Sequence, residues 1–254
     1  MIKTITAASS GIPSSISSDD HPLLSIKSIS YAYKDGSELR FILKNISYNF
    51  DLGCFYAIMG SSGSGKTTLL SIMGALDVPR SGSVFCQGKN IEMLGYDNYR
   101  RNKIGMVFQN YSLIPWLTAI ENVALAMYST DNKVPANHYS VSANLLDYLG
   151  IDNNRAKRRV PELSGGEQQR VAIARSLATN AVLILADEPT GNLDEKSSEE
   201  IIQIFRQLAH VHNRCVIVVT HDSEIASMAD KVLLLTGGEL KEGIEPAILT
   251  ATKG

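Results

Sequence analysis

Two short stretches of this chain carry side chains suited to gripping and splitting a triphosphate. The first, Gly60-Ser61-Ser62-Gly63-Ser64-Gly65-Lys66-Thr67, followed by Thr68, fits the spacing G-x-x-x-x-G-K-[ST] of a phosphate-binding loop. Its glycines let the backbone turn N–H groups toward phosphate oxygens, and a helix start just beyond adds positive potential. Lys66 is placed to reach the β and γ oxygens, and the Thr67 hydroxyl to act as a Mg²⁺ ligand. The second stretch is Asp187-Glu188, which follows Val182-Leu183-Ile184-Leu185-Ala186. Four bulky apolar residues bury that strand and deliver two carboxylates to its carboxyl edge, where ligands bind in open α/β sheets. Asp187 is expected near Mg²⁺, through water. Glu188 is expected to polarise the attacking water, because phosphoryl transfer depends on positioning and charge stabilisation.

Such residues need a scaffold, and the hydrophobic pattern supplies one. Residues 24–29 alternate with period two, and 40–43 and 46–50 suggest further strands beyond a turn at Asp35-Gly36. The short apolar strand 55–59 runs straight into Gly60, and a helix carrying Leu69, Leu70, Ile72 and Met73 follows the loop. Strands are expected near 84–86 and over 104–108, the latter ending at Gln109. From 111 to 159 the signals are helical. Thr118-Ala119-Ile120-Glu121 has the pattern of a capping box, and a helix over 142–149 stops at Gly150. Strands return at 182–186, 216–220 and 231–235, separated by helices at 168–178 and 198–209. Strands alternating with helices predict an α/β fold with a mostly parallel sheet covered on both faces. The antiparallel start and the helical insert, about 111–160, would be attached subdomains.

A third stretch narrows the class. Leu163-Ser164-Gly165-Gly166-Glu167-Gln168-Gln169-Arg170 places a serine and two glycines at a helix start. Eight fixed positions arise by chance in well under about one in a million chains of this length. The stretch resembles the signature of ATP-binding cassette (ABC) ATPases, whose nucleotide-binding domain has a RecA-like P-loop core with an antiparallel β-subdomain and an inserted helical one. The resemblance covers the chain from about Leu24 to Gly243. It implies ATP and Mg²⁺ as cofactors. It also implies that Gln109 is the Q-loop glutamine, a Mg²⁺ ligand tied to movement of the insert, and that His221 is the switch histidine contacting the γ-phosphate. Gly191-Asn192-Leu193-Asp194 resembles the D-loop along a dimer seam, which brings Asp194 to the nucleotide. Tyr33 is the candidate to stack on adenine, with Tyr31 its rival. Free N–H groups at Ser164, Gly165 and Gly166 can grip an anion. By family geometry that anion is the neighbour's phosphate, so the implied partner is a second copy of the chain.

Within the family the chain looks most like the macrolide-exporter and lipoprotein-release branch. The stretches Ile58-Met59-Gly60-Ser61-Ser62-Gly63, Val107-Phe108-Gln109-Asn110-Tyr111-Ser112-Leu113-Ile114-Pro115 and Leu185-Ala186-Asp187-Glu188-Pro189-Thr190-Gly191-Asn192-Leu193-Asp194 carry that likeness. It implies an ATPase dimer on the cytoplasmic face of the cell membrane, energising a separately encoded permease for export or extraction. The alternative is a cell-division-type complex that regulates extracytoplasmic enzymes without transport. Leu113-Ile114-Pro115-Trp116-Leu117 is an apolar stretch, part of which either lines a groove for the permease's cytoplasmic helix or packs within the helical insert. The cargo is not legible.

Bulk properties agree. The chain has 254 residues, 44% hydrophobic and 20% charged, which suits one domain with a real core. A net charge of -2 gives no reason to expect nucleic acid or an anionic membrane surface as partner. Three widely spaced cysteines form neither a disulfide framework nor a metal cluster, and point to a reducing compartment. No apolar run approaches the ~18 residues needed to span a bilayer. Residues 1–22 read as a flexible serine-rich leader and 245–254 as a tail, leaving 23–244 as the ATPase domain. Arg155-Ala156-Lys157-Arg158-Arg159 reads as a solvated basic face.

Overall fold

The computed structural model describes residues 21–35 and 38–243. The tail and all but His21 and Pro22 of the serine-rich leader lie outside these, as does part of the expected turn at Asp35-Gly36. The centre is a six-stranded sheet in the order β10-β9-β3-β8-β7-β6. Its parallel strands are β3 (Phe55–Met59), β6 (Ile104–Val107), β7 (Leu183–Asp187), β8 (Cys215–Thr220) and β9 (Lys231–Thr236). β10 (Glu239–Glu242) folds back antiparallel on β9. The tight turn between them is made by Gly237 and Gly238, at φ 61 and 86, where a Cβ would be strained.

Both faces of this sheet are buried, which is why its strands read as apolar runs without polar alternation. Period two sorts the side chains. Phe55, Ala57, Ile184, Ala186, Val216 and Val218 pack in one core with helices α4 (Ala119–Ser129), α5 (His138–Tyr148), α7 (Gly165–Ala178) and α8 (Glu195–His210). Tyr56, Ile58, Leu183, Leu185, Ile217 and Val219 pack on the opposite face with α1 (Lys66–Met73). That second core is closed by a four-stranded antiparallel sheet, β2-β1-β4-β5. Its strands are β1 (Leu24–Asp35), β2 (Glu38–Phe50), β4 (Ser81–Cys86) and β5 (Lys89–Asn90).

The stretches 40–43 and 46–50, which read as separate strands, are one continuous β2. Asn45 at φ 51 and Ser28 at φ 53 bulge the β1–β2 ladder, and the registry shifts between Ile29 and Tyr31. A bulge breaks strict alternation, so the pattern looks interrupted where the strand is not. The capping box at Thr118 forms: Glu121 Oε2 accepts the Thr118 N–H at 2.8 Å and Thr118 Oγ1 accepts the Glu121 N–H at 3.3 Å. Between β6 and α7 the helical insert adds α5 and the short α6 (Asn153–Ala156) to α4. Three helices had no sequence signal strong enough to read: α2 (Ile91–Leu94), α3 (Tyr96–Lys103) and α9 (Ser223–Met228). In α3 only Tyr99 is buried, its hydroxyl donating to the Met73 carbonyl at 3.0 Å, so there is no apolar stripe to detect.

Candidate active site

The phosphate loop sits between β3 and α1. Gly65 caps α1 at φ 102, and a Cβ there would lie 2.7 Å from Ile42 Cγ2, so conformation and space both demand glycine. At Gly60 a Cβ would come within 2.6 Å of the Leu235 carbonyl. The Ser64 N–H donates to the Ser61 carbonyl at 3.1 Å, while the buried Ser64 hydroxyl has no hydrogen-bond partner. The loop arches around Lys66, whose ammonium donates to the carbonyls of Gly60 at 2.8 Å and Ser61 at 3.1 Å. A buried ammonium needs acceptors. Here its own loop supplies them.

The carboxylates of β7 diverge. Asp187 Oδ1 accepts the Thr67 hydroxyl at 3.2 Å. Burial raises the Asp187 carboxyl above its ordinary range, aided by the neighbouring Glu188 charge and opposed by the Thr67 hydrogen bond and the Lys66 ammonium. Glu188 turns toward β8, where its carboxylate accepts the Thr220 hydroxyl at 3.3 Å and His221 Nδ1 at 3.0 Å. A cleft of about 610 Å³ opens over these groups. Ser62, Gly63, Lys66, Thr67 and Thr68 line one wall, and Gln109, Glu188 and His221 another. Gln109 is held by its carbonyl, which accepts the Asn192 side-chain amide at 3.0 Å. Its own amide approaches Gly191 so closely that a Cβ there would stand 2.8 Å away.

The two tyrosines part company. Tyr33 lines the cleft, is 51% exposed, and its hydroxyl lies 3.4 Å from Thr68 Oγ1. Tyr31 donates to Asp77 Oδ2 at 2.5 Å, and that hydrogen bond, with burial, pushes its hydroxyl up to about 12.

Ser164, Gly165, Gly166 and Asp194 do not line the cleft. They form a second cluster where α7 and α8 begin. Ser164 caps α7 in a capping box with Glu167, and Asp194 caps α8, accepting the Ser197 N–H at 3.0 Å and its hydroxyl at 2.7 Å. Those bonds hold the Asp194 carboxyl below its ordinary range. A Cβ on Gly166 would meet Ser197 Oγ at 2.8 Å, and one on Gly165 the Tyr111 hydroxyl at 2.8 Å. Small residues are therefore required for the two helix starts and the loop after Gln109 to meet.

A family model described as ABC transporter matches residues 43–191, more than half of the chain. The chain belongs to the ABC transporter family. It is an ATP-binding ATPase cassette of that family. It is 43% identical to an uncharacterized ABC transporter ATP-binding protein of Bacillus subtilis, YclH, over 87% of this chain and 98% of that protein. It is 40% identical to the macrolide export ATP-binding/permease protein MacB of Escherichia coli, over 86% of this chain but only 34% of MacB. The chain thus spans about a third of MacB, and the likeness fits the macrolide-exporter branch. Among solved structures it resembles the dimeric, post-hydrolysis cassette MJ0796 bound to ADP and Pi, with TM-score 0.79 and 39% identity, covering 87% of this chain and 97% of that one.

Two groups of this cassette's site went unread in the sequence. Thr220 is the strand-end residue before His221, and the reasoning that found Asp187 at the end of β7 applies to it equally. Ile42 lines the cleft from β2, across a distance in sequence that no local pattern reports.

Proposed function

We propose that two copies of this chain enclose two ATP molecules, each held by one copy's cleft and closed by the other's Ser164–Gly166 turn. The carrying observation is the separation of the clusters. Lys66, Glu188 and His221 share a cleft, while the second set of anion-gripping N–H groups opens elsewhere on the same protomer. In this reading Tyr33 stacks on adenine, and the N–H groups and hydroxyls from Gly60 to Thr68 hold the phosphates. Lys66 leaves the Gly60 and Ser61 carbonyls for the β and γ oxygens. Glu188 accepts a proton of the attacking water. His221 meets the γ-phosphate and steadies Glu188, Gln109 links the site to the helical insert, and Asp194 faces the seam.

The site suits Mg²⁺. Thr67 and Asp187 present hard oxygens 3.2 Å apart, and the unpartnered Ser64 hydroxyl adds another polar atom to the loop. Among the described residues no cluster of three or more His, Cys, Asp or Glu could cage an ion, which agrees with a metal carried mostly by phosphate and water. Thr67 would hold it directly, with Asp187 and Gln109 alongside. When bound, the ion neutralises charge on the phosphate oxygens.

The permease is supplied by another polypeptide in this reading, for export or extraction at the cytoplasmic face of the cell membrane. Among the described residues no helix is long and apolar enough to cross a bilayer. A groove of about 560 Å³ lies between the sheet edge and the helical insert, lined by Met106, Ile114, Leu125 and Tyr128. Trp116, two residues beyond Ile114, is 72% exposed. In this reading that groove and the exposed Trp116 are offered to a cytoplasmic helix of the permease.

Mixing two inactive variants tests the shared site. Lys66→Ala ruins one cleft and Ser164→Ala one closing turn, so a mixed dimer retains one site with both parts intact. ATPase activity should reappear on mixing. Continued silence, with each variant folded and dimer-competent, refutes the arrangement.

A further inference from the structure

The charged residues of the basic run 155–159 are exposed as expected, with Ala156 buried between them, yet the first of them is engaged. Arg155 Nη1 lies 3.0 Å from Glu167 Oε1, and Arg155 Nε lies 3.6 Å from Asp152 Oδ2. Glu167 is the residue that completes the Ser164 capping box. Its other oxygen, Oε2, accepts the Ser164 N–H at 2.9 Å, while Ser164 Oγ accepts the Glu167 N–H at 3.3 Å. The carboxylate therefore stands across the helix start whose remaining N–H groups would receive a phosphate. That placement favours the helix, because an anion suits its N-terminus. It opposes the ligand, because a triphosphate brings like charge into the same turn.

We propose that Arg155 is a positioning residue for the closing turn: it neutralises Glu167 and holds that carboxylate over Ser164, so that the turn accepts the γ-phosphate of the facing protomer. This rests on the two-copy reading above. The geometry supports a charge role. Glu167 is largely enclosed, its side chain 18% exposed, whereas Arg155 is 47% exposed and reaches it from α6. Arg155 does not line the nucleotide cleft, so it has no part in the first grip on ATP.

The test uses Glu188→Gln as background, in which ATP should accumulate a stable dimer, measured by sedimentation at fixed salt. Arg155→Ala should weaken that dimer. Exposed charge interactions are worth about 1.4- to fivefold each, and two sites per dimer multiply to about 2- to 30-fold. ATP binding by the monomer should not change. Glu167→Gln keeps an amide oxygen to accept the Ser164 N–H but removes the charge. Added to Arg155→Ala, it should restore dimerisation to within about twofold. Arg155→Lys should restore part of it. If Arg155 only staples α6 to α7, Glu167→Gln cannot rescue, and that result overturns the proposal. A Glu188→Gln dimer left unchanged by Arg155→Ala overturns it alone. Absence of any ATP dimer in Glu188→Gln itself overturns the two-copy reading and this inference together.

Discussion

Thr220→Val isolates what the fold contributes to Glu188, the carboxylate proposed to activate water. Valine is nearly isosteric with threonine, so β8 keeps its packing, but two hydrogen bonds disappear. The Thr220 hydroxyl donates to Glu188 Oε2 at 3.3 Å and accepts the Asp222 N–H at 3.0 Å. Asp222 in turn caps α9, its side chain accepting the Glu224 N–H at 2.8 Å, so the loop carrying His221 is anchored through the same hydroxyl. A bond to a charged group is worth about 1.5–3 kcal/mol, and at 3.3 Å the lower end applies. His221 still holds the carboxylate, so Glu188 is loosened rather than freed. Taking about 1.4 kcal/mol as tenfold in rate, kcat should fall about tenfold. KM for ATP should hardly move, because Thr220 does not line the cleft. Losing the bond from the half-buried Asp222 N–H should also cost about 0.5–1.5 kcal/mol in urea unfolding. Thr220→Ser restores the hydroxyl and should recover most of the rate. Steady-state ATPase assays decide the matter. An unchanged kcat in Thr220→Val, or equal damage in Thr220→Ser, would refute the positioning argument.

Two further outcomes can be checked. Asp187→Asn should stabilise the nucleotide-free protein near neutral pH, since burial raises the Asp187 carboxyl and the ionised form is the disfavoured one. A raised folded pKa means the penalty is full above it and fades as pH falls through it toward the unfolded value. The urea midpoints of the two proteins should therefore converge in acid, and a gap that persists there counts against a charge origin; ATPase activity of the variant should be lost. Trp116→Asp should weaken capture of the permease while leaving ATP binding by the isolated subunit intact. Equal loss of both would show that Trp116 serves the packing of the insert.

Legibility in the sequence followed how local the cause was. The phosphate loop, the Thr118 capping box and the apolar runs of β3, β7 and β8 depend on neighbours a few residues away, and each lies within two residues of its expected place. The bulged β2 reads as two strands because Asn45 takes a left-handed conformation where β1 and Gly238 fix it, the Lys44 N–H donating to the Gly238 carbonyl at 2.8 Å. Arg155 reads as solvated because Glu167, the nearer of its two acidic partners, stands at the start of another helix. Arg175 is a similar case. It reaches from α7 to the carbonyls of Tyr111 at 3.2 Å and Ser112 at 2.5 Å, both at positive φ, and so shapes the loop after Gln109. Nothing around residue 175 announces that contact.

The paired carboxylates show why a strand alone could not have built this site. Along an extended strand successive side chains point to opposite faces. Leu183 and Leu185 point to the α1 side, so Asp187 follows them to Thr67. Continued extension would send Glu188 into the opposite core, among α7 and α8. Instead Glu188 takes φ 44, a left-handed conformation that costs a glutamate about 1–2 kcal/mol. The strand ends there, its last ladder-like bond running from the Glu188 N–H to the Val219 carbonyl at 3.0 Å. The turn keeps the second carboxylate at the edge, within reach of Thr220 and His221. Strain of this size persists only where the surroundings over-determine it, and here the bonds to Val219, Thr220 and His221 on the β8 side and the Gly191 N–H donating to the Glu188 carbonyl at 3.1 Å on the other do so. The two carboxylates therefore stand apart, one on the Thr67 hydroxyl and one on Thr220 and His221, because a single backbone angle sends them in different directions.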